Sequence, residues 1–432
     1  MMKIRIPNNN TVERKYIIDI LLGEFLGLQY SIEYVNSIDY EMILSNGNKL
    51  VVRDAFFNNS LADLSYLQAT NIPAKVCYSH NQFLLEKDIP IIYGSGKLDI
   101  SENEIICGID IFASSFFMLT RWEEYVNTTR DEHDRFPALE SLAFKNDFLH
   151  RPLVNEYVEM LWNMLLHLGF KEKRIEKKYE LVLSHDIDFL FRGKVRWCYD
   201  ILRDFKTKFN IKHTLCNIAD FFSGNDPYDT FDYLMTVSEN APVKSHFYFM
   251  ADNQSNYGTK FYLNNKPFLS IVNDIKKRGH VIGFHPGYKT YQNPEIWCAE
   301  KLLLENKLGF PVDEGRQHFL MMNIPKTLKI WDDANMKVDS SLGYADKNGF
   351  RCGTGDEFSL FDFRRREMLR LKERPLVVMD VTLFSLGEVG EMTTEVLNLM
   401  GVCRKYKMKF TVLFHNSSMR EEHKVIYSNL FS

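Results

Sequence analysis

From residue 180 onward, short β-rich runs alternate with amphipathic helical stretches. Helix-like segments such as PFLSIVNDIKKRG and NPEIWCAEKLLLENKLGF separate some of these runs. Strands that alternate with helices are typical of a parallel sheet or barrel, because parallel neighbours need a crossover connection. The sequence therefore predicts an α/β fold here. The seven strand candidates are ELVLSHDID, SHFYFMA, VIGFHP, EGRQHFL, KVDSSLGY, PLVVMDVTLF and KFTVLFHNS.

The remainder of the chain predicts a different organisation. Residues 1–110 alternate short apolar runs with polar turns, which favours a smaller N-terminal α/β domain. Residues 111–178 predict a helical connection, and in its segment 151–170 apolar residues recur at helical spacing before Gly169, a candidate C-cap. Residues 179–432 are predicted to form a larger C-terminal domain, in which residues 190–240 are a long excursion after the first strand.

Composition excludes several classes of function. The 53 basic and 57 acidic residues are interspersed and give a net charge of -4, so we expect no nucleic-acid partner. No stretch matches a signal peptide or a membrane span, and the cysteines are scattered without a C-x-x-C pair. These features predict a cytoplasmic protein with free thiols. The cysteines are Cys77, Cys107, Cys198, Cys216, Cys298, Cys352 and Cys403.

Polar and titratable residues stand near the C-terminal ends of five strand candidates. In α/β barrels these ends meet at one face, where alternate side chains point inward. An unpaired buried charge costs several kcal/mol, so five strands would not bury such residues without a reason. Carboxylates, an arginine and imidazoles suit a divalent metal with a general base and a general acid. The residues are Asp186, Asp188, His285, Arg316, His318, Asp380 and His415.

Several ordered motifs in residues 180–420 resemble those of the polysaccharide deacetylase family, which is carbohydrate esterase family four with the NodB-homology fold. The stretch SHDID is similar to the family's T-F-D-D-G motif. The resemblance implies a distorted (β/α)7 barrel, with Asp186 as the catalytic base and Asp188 as a metal ligand. The additional N-terminal domain marks a divergent subfamily.

The metal ligands implied by the second and third motifs depart from the family pattern. GHVIGFHPGYK resembles the context of H-[ST]-x-x-H, so His285 corresponds to the first imidazole ligand. Lys289 stands where the second imidazole belongs, and an ammonium cannot ligate a metal. RQHF resembles R-x-P-[YF], so Arg316 would orient the base and His318 replaces the family's proline. His318 is our candidate for the missing ligand, with His185 as the alternative.

The remaining motifs imply a general acid and substrate contacts. LFHN matches the letters of the family's L-x-H motif and makes His415 the general acid, although strand counting leaves Asp380 as an alternative. The fourth-motif region contains Tyr344 and Arg351, which would contact sugar hydroxyls. Tyr288 is a further candidate, to stack on a sugar ring.

The resemblance implies a metal-dependent hydrolase that removes acetyl from an N-acetyl amino sugar in a glycan or its precursor. The expected cofactor is a divalent ion, zinc by preference, and the expected partner is the carbohydrate substrate. Two alternatives stay open. The first is hydrolysis of another non-peptide C–N bond, in a cyclic amide or ureide. The second is a non-catalytic carbohydrate-binding protein that has lost its second imidazole ligand.

Overall fold

The computed structural model describes residues 1–59, 62–192, 226–251, 257, 262–264, 266–419 and 421–431. Most of the predicted excursion at 190–240, including VRWCYDILRDFKTKF, Cys198 and Cys216, lies outside these residues. The chain divides into two compact units. The first unit consists of Met1–Glu180, Leu320–Val377 and Leu399–Phe410, and the second of Leu181–Phe319, Val378–Asn398 and Thr411–Ser432. The predicted boundaries at 110 and 178 stay a prediction.

The first unit contains a six-stranded mixed sheet with the order β2-β1-β3-β4-β8-β7. Alternate residues such as Ile4, Ile6, Met42 and Leu50 are buried, as expected for strands with one face on a core. The strands are β1 Met2–Pro7, β2 Tyr30–Val35, β3 Tyr40–Ile43, β4 Lys49–Val52, β7 Gly94–Ile100 and β8 Glu104–Ile109, with a separate hairpin of β5 Cys77–Ser79 and β6 Ile89–Ile91. Later strands of this unit are β13 Val338–Asp339, β14 Phe358–Asp362 and β15 Glu367–Glu373.

The first unit has helices in the region 111–178, near its start and over the segment 151–170. The first is interrupted at Arg121, whose φ of 53° is left-handed, and the second ends before Gly169, whose φ of 81° fits the predicted C-cap. The helices are α1 Thr11–Ile18, which continues as a π-helix over Asp19–Phe25, α2 Ile111–Thr120, α3 Trp122–Val126, α4 Leu142–Lys145, α5 Leu153–His167 and α9 Lys326–Asp333.

The second unit is built on strands in the order β12-β11-β10-β9-β17-β16. Strands β9 to β12 pair in parallel, and β16 pairs in parallel with β17. They are β9 Glu180–Ile187, β10 Ser245–Phe249, β11 Val281–Phe284, β12 Glu314–Gly315, β16 Val378–Met379 and β17 Lys409–Leu413. The helices are α6 Phe231–Asn240, α7 Lys266–Lys277, α8 Pro294–Leu308, α10 Asp380–Phe384 and α12 Glu421–Phe431, while α11 Val389–Lys405 begins in this unit and ends in the first.

The mixed α/β architecture expected from the sequence is confirmed. Each of the seven strand candidates contains a strand, although three of these strands are only two residues long. Within the described residues no pairing joins β16 to β12, so closure into a barrel is not seen. No helix of the described residues has the length and apolar character needed to cross a membrane. Cys77, Cys107, Cys298, Cys352 and Cys403 are free thiols, as predicted.

A buried ion-pair network stabilises the first unit. Arg351 donates two hydrogen bonds to the Glu124 carboxylate, at 2.9 Å and 2.5 Å, and Arg121 donates a third at 2.8 Å. Burial raises the pKa of Glu124, but these two guanidinium groups more than offset it and lower the pKa below its usual value. Arg121 also donates to the Tyr344 hydroxyl at 3.0 Å.

We expect Arg351→Ala to destabilise the protein, because it leaves the Glu124 carboxylate buried with one cation fewer. The loss is roughly 3 kcal/mol in the free energy of unfolding. Urea denaturation measures it. Arg365→Ala is the matched control, since this side chain is 60% exposed and its truncation should cost under about 0.5 kcal/mol. Equal stability of the two variants would contradict a structural role for Arg351.

Candidate metal and catalytic site

Parallel pairing places the site residues of β9, β11 and β12 on one face of the second unit. Asp186 follows Ser184 at the two-residue period of a strand, and Asp188 comes directly after the strand ends. His285 and Arg316 each follow the last residue of their own short strand. The strand ends therefore deliver polar side chains to a common place.

Asp188, His285 and His318 form a group that could hold a metal ion. Their candidate ligand atoms all lie within 4.8 Å of one another. His285 Nε2 lies 3.1 Å from Asp188 Oδ1, and His318 Nε2 lies 3.5 Å from the same oxygen. One carboxylate and two imidazoles are a donor set typical of zinc sites that keep a position open for water.

Hydrogen bonding within the group fits metal coordination. The Nδ1–H of His285 donates to the Arg316 carbonyl at 2.7 Å, because that oxygen can only accept, and this leaves a lone pair on Nε2. His285 Nε2, Asp188 Oδ1 and both ring nitrogens of His318 are buried and make no hydrogen bond to any described residue. Buried polar atoms without hydrogen-bond partners are costly unless something else binds them.

Electrostatics favour an ionised carboxylate beside a neutral imidazole. Burial raises the pKa of the Asp188 carboxyl, but His318, His285 and His415 more than offset it and hold the pKa well below its usual range. Burial lowers the pKa of His318 below that of a free imidazole, despite the Asp188 charge. A charged carboxylate and an imidazole with a free lone pair are the forms that bind a cation.

Asp186 and Arg316 form a buried pair beside this group. Arg316 donates to Asp186 Oδ1 at 2.8 Å and to Ser184 Oγ at 2.9 Å. Both members of the pair are at most 2% exposed, so solvent screens their interaction weakly. His285 Nδ1 lies 3.7 Å from Asp186 Oδ2, which connects the pair to the candidate metal-binding group.

His415 and Asp380 form a second pair, although the sequence offered them as competing general acids. His415 Nδ1 and the His415 amide each lie 2.8 Å from an oxygen of the buried Asp380 carboxylate. Burial lowers the pKa of His415, but the charge and hydrogen bond of Asp380 more than offset it and raise the pKa to about 10. His415 Nε2 lies 3.9 Å from Asp188 Oδ2, so a protonated imidazole faces the site.

His185 does not join the group. Its ring nitrogens contact the Phe414 carbonyl at 2.8 Å and Ser245 Oγ at 3.0 Å. Burial lowers its pKa to about 3, which keeps the imidazole neutral. Strand alternation points this ring to the opposite face from Asp186, as the sequence indicated.

The three predicted substrate contacts divide between the units. Tyr288 lies in the second unit, with its ring 6.5 Å from that of His318. Tyr344 and Arg351 are 4% and 3% exposed and take part in the ion-pair network of the first unit. Their contact with sugar hydroxyls stays a prediction.

Comparison with known proteins gives a family match in the N-terminal part only. A family of unknown function, DUF7033, matches residues 2–169. No curated protein matches the chain.

Solved structures show weak likenesses over 59% of this chain. A proposed polysaccharide deacetylase of Mycobacterium smegmatis has 13% identity, a TM-score of 0.40 and 82% of its own chain covered. The polysaccharide deacetylase Bc1974 of Bacillus cereus has 11% identity, a TM-score of 0.28 and 86% of its own chain covered. A mutant of the CE4 pseudoenzyme BA3943 with restored enzymatic activity has 11% identity, a TM-score of 0.31 and 62% of its own chain covered. TM-scores below 0.5 carry no weight in assigning a function.

The predicted ligand shift from position 289 to His318 can be tested by metal content. We expect His318→Ala to lower the affinity for zinc by at least about tenfold, because one of the two imidazole ligands is lost. Lys289→Ala should leave the affinity unchanged. Both are measured by zinc titration of protein first stripped with a chelator. Loss of zinc in the Lys289 variant, or its retention in the His318 variant, would contradict this ligand set.

Proposed function

We propose that this chain is a metal-dependent hydrolase that removes acetyl from an N-acetyl amino sugar of a glycan or glycan precursor. The proposed scaffold is a distorted (β/α)7 barrel, and the proposed ion is zinc. The observation that carries the hydrolase proposal is the clustering of Asp188, His285 and His318 between the Asp186–Arg316 and His415–Asp380 pairs. The choice of an acetylated sugar is supported by the motif resemblance of SHDID, GHVIGFH, RQHF and LFHN.

The metal ligands, the base and the acid have separate roles in the proposed mechanism. Asp188, His285 and His318 would hold a divalent ion, which would supply Lewis acidity toward the attacking water and the amide carbonyl. Asp186 takes the proton of the water, while Arg316 fixes the direction of its carboxylate by the hydrogen bond at 2.8 Å. Protonated His415 donates a proton to the departing amine nitrogen, and Asp380 keeps that imidazole charged and oriented. Acetate and a free amine leave.

We expect Asp186→Asn to bind zinc as the wild type does but to lose at least about 99% of its turnover, because an amide cannot accept the proton. The measurement is acetate release from N-acetylated chito-oligosaccharides, with metal content determined on the same samples. An Asp186→Asn protein with undiminished rate would end the proposed mechanism. Ring opening of cyclic amides without acetate release would favour the alternative function, which is hydrolysis of another non-peptide C–N bond. Wild-type protein that contains no zinc, binds the sugar and releases no acetate would favour a binding protein.

The Asp380–His415 pair predicts how the activity depends on pH. Since His415 must be protonated to act as the acid, activity should fall as the pH rises through the pKa of His415, which Asp380 raises to about 10. Asp380→Asn removes the carboxylate charge, so the fall should move to lower pH. Rates at saturating substrate from pH 6 to pH 11 measure this shift. An unchanged alkaline limb would show that His415 is not the acid.

A further inference from the structure

The ring of Tyr248 lies beneath the guanidinium of Arg316. The guanidinium carbon is 5.2 Å from the ring centre, and both side chains are fully buried. In the parallel ladder Tyr248 pairs with Asp186, so the two side chains share a face. A cation over an aromatic face is attracted more strongly where water is excluded.

The phenol of Tyr248 is itself fixed at its far end. Its hydroxyl donates to Glu314 Oε1 at 3.0 Å, and the same oxygen lies 2.5 Å from His246 Nδ1. The carboxylate that holds the phenol is therefore held in turn by an imidazole. These bonds satisfy the buried hydroxyl, while the aromatic face of the ring lies against Arg316.

Gly283 leaves the space that this ring occupies. A Cβ at position 283 would lie 2.5 Å from Cδ1 of Tyr248 and 2.5 Å from the carbonyl oxygen of Glu314. Real carbon atoms do not approach this closely, and the backbone carbonyl cannot swing aside as a side chain would. The absence of a side chain at position 283 thus permits the position of the Tyr248 ring under Arg316.

The N–H groups of Arg316 lie in the plane of its guanidinium, and the Tyr248 ring lies at cation–π distance from the same guanidinium. Its donors go to Asp186 Oδ1 and to Ser184 Oγ, and the Ser184 hydroxyl donates onward to the Val412 carbonyl at 2.7 Å. Hydrogen bonds in this plane resist movement of the guanidinium within the plane, but they permit the guanidinium to tilt out of it. A fixed aromatic surface against the guanidinium limits this second motion.

We propose that Tyr248 is a positioning residue that acts through Arg316 on the direction of the Asp186 carboxylate. This inference rests on the proposed function, in which Asp186 is the base. It attributes the effect to the aromatic face and not to the hydroxyl, so phenylalanine should substitute for tyrosine while an aliphatic side chain should not.

The kinetic test compares Tyr248→Phe with Tyr248→Met, which keeps most of the volume without a ring. On N-acetylated chito-oligosaccharides, Tyr248→Phe should stay within about threefold of wild type in kcat, because the ring face remains. Tyr248→Met should lower kcat at least about tenfold with KM and zinc content unchanged. The control is Phe249→Leu on the opposite face of the same strand, where the ring packs 5.5 Å from Phe268; its kcat should not change. Tyr248→Leu replaces the Met variant if that protein does not fold.

A second measurement does not depend on activity. In nitrogen-15 NMR spectra, the Arg316 guanidinium of wild type and Tyr248→Phe should show restricted rotation and slow exchange of its side-chain protons, and Tyr248→Met should lose both. Equal kcat in the Phe and Met variants, or an unchanged Arg316 signal in the Met variant, would overturn the role of Tyr248. Wild-type protein that releases no acetate would instead overturn the proposed function, and the NMR comparison would then decide the positioning role alone.

Discussion

The structure of the second unit depends on how the charge of Asp188 is accommodated where the strands end. This carboxylate faces two buried imidazoles whose nearest nitrogens lie 3.1 Å and 3.5 Å away. Burial lowers the pKa of His318, and the desolvation of an ionised carboxylate costs several kcal/mol. A divalent cation would satisfy all three side chains together in this buried position.

The residues around this group each limit the freedom of another. The Arg316 carbonyl fixes the tautomer of His285, while its guanidinium fixes Asp186, so the residue that follows β12 orients both a proposed ligand and the proposed base. Asp380 does the same for His415 by accepting bonds from the ring and the amide. Sites held in this way need little reorganisation when charge develops during a reaction.

Side-chain alternation along the strands and the order of the motifs were sufficient to predict that Asp188, His285 and His318 lie close enough together to hold a metal ion. Because side chains alternate along a strand, His185 was expected on the opposite face from Asp186. The lysine at 289 indicated that the second imidazole ligand must come from another position. The pairing of Asp380 with His415 could not be predicted, because it depends on β16 lying beside β17, and sequence order does not specify sheet order. Tyr248 also escaped notice, since an aromatic residue in a strand is ordinarily a core residue.

Other parts of the fold were predicted less well, for physical reasons. The strands at 314, 338 and 378 are far shorter than the strand candidates that contain them, because the C-terminal halves of these candidates form loops or a helix that carry polar side chains. The β14–β15 hairpin was missed because its turn carries the basic run at 364–366. Tyr344 and Arg351 follow a strand in sequence, yet their polar groups bind partners within the first unit.

The most direct test is anomalous diffraction at the zinc absorption edge, from crystals of protein purified without chelator and supplied with zinc. A single strong peak bonded to Asp188, His285 and His318, at roughly 2.0 to 2.2 Å from each ligand atom, is the predicted result. A map with no peak among these three side chains, or with its peak on other residues, would contradict the assignment.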